Sequence, residues 1–108
     1  MNSVHTLVLM LAAHALADYP LQGDFLARAK NRFAPVPGVP WYQAMIAHCL
    51  IHAEFVTLLT GSLTLGVAEF VAHFVIDDLK CARRISYDAD QGLHVFCKML
   101  WIGVLLSW

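Results

Sequence analysis

WYQAMIAHCLIHAEFVTLLT, residues 41–60, holds a single Lys, Arg, Asp or Glu, at Glu54. As a helix rising 1.5 Å per residue it is about 30 Å long, which matches the hydrocarbon core of a bilayer. The stretch also carries His48 and His52. A spacing of four puts both imidazoles on one face, one turn apart, in surroundings that ordinarily exclude them.

The flanking sequence closes this segment on both sides. Pro35, Pro37, Gly38 and Pro40 precede it, and Thr60–Gly61–Ser62 forms a tight uncharged turn after it. Three further segments, residues 1–17, 62–79 and 91–108, have the same apolar character. The first ends in Ala15–Leu16–Ala17, which resembles a signal-peptide cleavage site, but no Lys or Arg precedes its apolar run. It is therefore expected to stay as a span. The expected fold is all-α: one domain, residues 1–108, forming an integral membrane four-helix bundle. Residues 24–32 are expected to add a short interfacial helix between spans one and two, with Phe25, Leu26 and Phe33 beside Arg28, Lys30 and Arg32. A soluble bundle with an apolar surface is the competing reading, disfavoured because the segments are apolar around most of their circumference.

Composition agrees. Of 108 residues 59% are hydrophobic and 14% charged, and the charges concentrate in residues 18–32 and 77–90. A net charge of −1 and the lack of phosphate-loop or zinc-finger spacings give no reason to expect nucleic acid as a partner. Cys49, Cys81 and Cys97 form no CxxC pair, which argues against a disulfide framework. Cys49 and Cys97 read as small buried apolar residues.

The connections at 19–40 and 80–89 lie on one side of a four-span protein, and both are basic (Arg28, Lys30, Arg32; Lys80, Arg83, Arg84). The positive-inside rule places them in the cytoplasm of a bacterial inner membrane, with both termini outside. Trp41, Tyr42, Tyr19 and Tyr87 then form an inner aromatic belt, with Trp108 at the outer face.

Within that topology the ionisable pairs meet. His14/Asp18, His48/His52, His73/Asp77 and Asp90/His94 all have spacing four. Counted from the inner helix ends, His14 and His94 lie about 6 Å deep, and His48 and His73 about 10 Å. Asp18, Asp77 and Asp90 form a layer just beneath. Intramembrane ionisable groups are costly and face a bundle interior or wet cavity. Imidazole with carboxylate on facing helices suits a divalent transition metal, Zn, Mn or Fe, better than Ca. His14, His48, His52, His73, His94 and Asp77 are the candidate ligands. Asp18, Asp77 and Asp90 are candidate acid/base groups, and Gln22 and Gln91 candidate outer hydrogen-bond partners. A metal here would activate water, giving hydrolysis of a membrane-associated substrate.

Two alternatives stay open. Glu69, His73 and Asp77 form a polar stripe, and Glu54, about 20 Å along its helix, is placed to face Glu69 near mid-membrane. That would make a proton or ion path, which four helices can support only as a homo-oligomer. The small residues Ala13/Ala17 and Ser62/Gly66 offer close helix contacts for association. Alternatively the His/Asp network only fixes helix register in a non-catalytic protein, with Lys98 neutralising a carboxylate. His5 reads as an interface residue, and Asp78 as a solvated or Arg-paired group about 100° round the helix from Asp77. Arg83 and Arg84 read as topology determinants that also suit a phosphate head group beside the site.

The stretches HALADYPLQ (14–22), HCLIH (48–52), HFVIDDLK (73–80) and DQGLH (90–94) resemble, in this order, the family catalogued as domain of unknown function 3307. The resemblance covers nearly the whole chain. It implies a four-helix integral membrane protein of bacteria, often encoded by phages or prophages, and brings no established activity with it.

Overall fold

The computed structural model describes residues 2–107, which form five helices and no strand. They are α1 (Ser3–Asp18), α2 (Gly23–Ala29), α3 (Trp41–Thr60), α4 (Leu63–Cys81) and α5 (Tyr87–Leu106). Helix starts follow local chemistry: the side chains of Asn2, Ser62 and Ser86 accept hydrogen bonds from the amides of His5, Leu65 and Ala89. Between α3 and α4 the chain turns on Gly61, which sits at φ 72°, a left-handed conformation that glycine adopts without steric cost.

Helices α1, α3, α4 and α5 form a closed ring in which each packs on two neighbours, and α2 leans against α3. The body measures 45 × 23 × 22 Å. Helix α2 turns 81° from α1, so it crosses the end of the bundle. It stops at Ala29, three residues before the expected end. Lys30 is drawn inward there, and the Asn31 side chain accepts from the Phe33 amide to turn the chain. Arg32 then grips Asp78 through two hydrogen bonds of 2.9 Å. That carboxylate holds the Arg32 guanidinium pKa above its ordinary value.

Apolar packing concentrates at the end of the bundle away from α2, around Met10, Val56, Leu65, Trp101 and Ile102. The other half of the interior is polar. Along α4 the outward Val67, Val71 and Val75 are 57%, 57% and 52% exposed, whereas Glu69, His73 and Asp77, two residues further along in each case, are 0%, 0% and 2% exposed. A soluble bundle shows the reverse arrangement.

Only α3 among the described helices is by itself long and apolar enough to cross a membrane; α1 and α2 meet the same criterion together as a bent pair. Helices α4 and α5 have the length, but buried Glu69, Asp77, Asp90 and Lys98 lower their average apolarity. Helix α5 begins at Tyr87, four residues before the expected boundary, because Ser86 caps it; Asp90 thus lies inside the helix. The terminal Trp108 of the expected outer belt, like Met1, lies outside the described residues.

Candidate metal centre

Five imidazoles from four helices converge, and each turns Nε2 toward the shared centre. His52 and His73 rings stack with centroids 3.7 Å apart, His73 and His94 at 4.0 Å, and His14 stands 5.2 Å from both His52 and His94. The i, i+4 spacings explain the convergence: each helix of the ring presents one polar stripe inward at the same level.

Asp18 Oδ1 is the focus. It lies 2.9 Å from His52 Nε2, 3.2 Å from His48 Nε2 and 3.7 Å from His73 Nε2. The His48 and His73 Nε2 atoms are 3.2 Å apart. A tetrahedral ion with bonds of 2.0–2.1 Å has ligand-to-ligand edges of about 3.3 Å. These separations, four of the six edges of such a site, bracket that spacing, so the four residues could hold one ion. The other Asp18 oxygen is held from outside: Gln91 Nε2 donates to Oδ2 at 3.0 Å, and His14 Nε2 lies 3.4 Å away.

His73 carries a second mark of a ligand. Its Nδ1 donates to Glu69 Oε2 at 2.9 Å, which in the neutral ring leaves Nε2 as a lone pair aimed at the centre. A carboxylate behind a histidine is the usual device for fixing a ligand's tautomer. Glu69 is itself fixed by Lys98 Nζ at 2.7 Å and Trp101 Nε1 at 3.0 Å.

A second cluster adjoins the first. Asp77 Oδ1 lies 2.9 Å from His94 Nε2, whose other carboxylate neighbour, Asp90, is at 3.3 Å. Asp77 Oδ2 touches His48 at 3.2 Å and His73 at 3.4 Å, and accepts from Lys30 Nζ at 2.7 Å. Asp77, Asp90 and His94 form a further group spaced to hold an ion. Asp18, Asp77, Asp90 and Gln91 also line a cavity of about 240 Å³ under α2, which connects the cluster to the outside.

The chain matches the family described as Protein of unknown function (DUF3307) over residues 6–107. It belongs to that family. Neither a curated protein nor a solved structure matches it. Within this DUF3307 member, all of His14, His48, His52, His73, His94, Asp18, Asp77, Asp90, Glu69, Gln91 and Lys98 come together. Gln22 accepts from Lys30 Nζ at 2.5 Å and donates to the Asp18 carbonyl. His5 is exposed and apart, and Asp78 is paired with Arg32.

Some expectations are corrected. Glu54 does not face Glu69; it lies on the outer surface of α3, between two apolar grooves. Ala13, Ala17 and Gly66 are spent inside the monomer, where Gly66 lets α4 approach Ala53 and Thr57 of α3. Cys97 is only half-buried.

Lys30 and Trp101 were not foreseen. Trp101 is seven residues beyond His94 and so shares its face, a sign that was available in the sequence. For Lys30 no such sign existed, since only the reversal of the chain after α2 carries it inward.

Proposed function

We propose that this protein spans the membrane as four helices and binds a divalent transition metal, Zn, Mn or Fe, through Asp18, His48, His52 and His73. The observation that carries the metal reading is the convergence of the His48, His52 and His73 Nε2 atoms on Asp18 Oδ1 at 3.2, 2.9 and 3.7 Å. The membrane reading is supported by the inverted polarity of α4 and by a 45 Å long axis, close to the full thickness of a bilayer of about 40–45 Å. Asp18, the one proposed ligand that lines the 240 Å³ cavity, would connect a bound metal to it, and the chemistry such a metal would supply is activation of water near neutral pH. Asp77 and Asp90, which line that cavity, with His94 buried behind them at 2.9 and 3.3 Å, would accept and return protons during hydrolysis of a membrane-associated substrate.

Conduction fits less well. The apolar cluster around Met10, Val56, Leu65 and Trp101 fills the bundle beyond Glu69, and Glu54 is turned away from any interior path.

Elemental analysis of detergent-purified protein tests the metal reading. It predicts about one equivalent or more of a transition metal after loading, and loss of most of it in His48→Asn and His73→Asn. A wild-type content below about a tenth of an equivalent contradicts it.

A further inference from the structure

Beside the carboxylate-lined cavity lies a second one, of about 160 Å³, lined by Gln22, Lys30, Asn31, Lys80 and Arg83. The two share Gln22, Lys30 and Lys80 as walls, yet their charge is opposite in character. The first contains Asp18, Asp24, Asp77 and Asp90; the second has three cations and no carboxylate in its lining.

The fold uses only part of this charge: Lys30 is paired with Asp77 and Lys80 Nζ lies 5.2 Å from the Tyr87 ring centroid, while Arg83 has no side-chain partner among the described residues. Among the described residues neither Lys80 nor Arg83 forms an ion pair, whereas Arg32 nearby is fully engaged by Asp78. Lys30 is 5% exposed and gives two hydrogens to Asp77 and Gln22. An ammonium has three, so one remains. Arg83 sits at φ 60°, a left-handed conformation uncommon for a side-chain-bearing residue, two residues beyond the end of α4, and this turn brings it to the cavity lining.

We infer that this cavity is the binding site for a phosphate monoester dianion, held by Lys30, Lys80 and Arg83 beside the metal centre. Three cations with the amides of Gln22 and Asn31 match a group that accepts hydrogen bonds on three oxygens and carries close to two negative charges. Anion binding stands on this cavity alone; that the bound group is a substrate rests on the metal reading above. The ester linkage would point through the shared wall toward Asp18 and Asp77. The same chemistry is offered by a lipid head group and by free phosphate.

The test uses full-length, chelator-treated protein in detergent. Inorganic phosphate is titrated by phosphorus NMR, and lysophosphatidic acid and lysophosphatidylcholine are compared by native mass spectrometry. Arg83→Ala and Lys80→Ala should each weaken binding of the monoester about tenfold, the worth of one charge-assisted contact. Arg84→Ala, next in sequence but outside the cavity, should leave it within about twofold. Binding of lysophosphatidic acid without free phosphate identifies a lipid head group as the source and supports the site. Equal loss in Arg84→Ala, equal binding of the choline-capped lipid, or no binding of either monoester or phosphate overturns it. Metal content, measured separately, should be unchanged in Arg83→Ala. Metal uptake without anion binding therefore sinks this site alone, and anion binding without metal uptake sinks the metal centre alone.

Discussion

Glu69 has a different partner on each oxygen. Oε2 accepts from His73, while Oε1 meets Lys98 and Trp101. A buried charge left unpaired costs about 3–5 kcal/mol, so Lys98→Met should lower unfolding stability in detergent by roughly that amount. Adding Glu69→Gln to Lys98→Met removes the stranded charge and should restore most of the loss. Metal affinity should not recover with it, because glutamine holds the His73 tautomer less firmly; a deficit of about 10–100-fold is expected from a competition titration. If affinity and stability recover together, Glu69 serves only the packing. The same residues show what the spacing reveals. Glu69 is four residues before His73 and joins its face, but Glu54 is two after His52, about 200° round the helix, so the expected Glu54–Glu69 contact already conflicted with helical geometry.

Helices α3 and α4 meet at Gly66. A Cβ there would stand 1.9 Å from Thr57 Oγ1 and 3.1 Å from the Ala53 carbonyl oxygen. Gly66→Ala should therefore destabilise the protein by about 1–3 kcal/mol, read from thermal unfolding in detergent. Thr57→Ala in the Gly66→Ala background should recover the larger part, since the closest clash is with the Thr57 side chain. No effect of Gly66→Ala would mean that the two helices are farther apart than described. Helix identity and the inward stripes were legible because period and apolarity are local properties. The direction of Lys30 was not, since it depends on how α2 folds across the bundle end. The start of α5 was missed because the apolar run begins after Asp90, whereas the helix begins where Ser86 can cap it. The pairing of Asp78 with Arg32 was foreseen as one alternative from its angular offset, though its arginine was not.

Taken whole, the molecule has a polar half and an apolar half inside, with apolar side chains outside along both. If the protein spans the membrane as proposed, the positive-inside rule would put the α2 end in the cytoplasm. A reporter fused to the C-terminus should thus be active only when exported, and cytoplasmic activity alone would reverse the topology. Purification of stable, monodisperse protein without detergent would count against the membrane reading altogether. Under the proposed function the cluster is the site of metal binding, and its contents predict a specific coordination shell. X-ray absorption spectroscopy of the zinc-loaded protein should show nitrogen and oxygen scatterers at about 2.0–2.1 Å, with the outer-shell pattern of several imidazoles and no sulfur. A sulfur shell near 2.3 Å, a shell without imidazole, or protein that retains no zinc to measure would contradict the proposed centre.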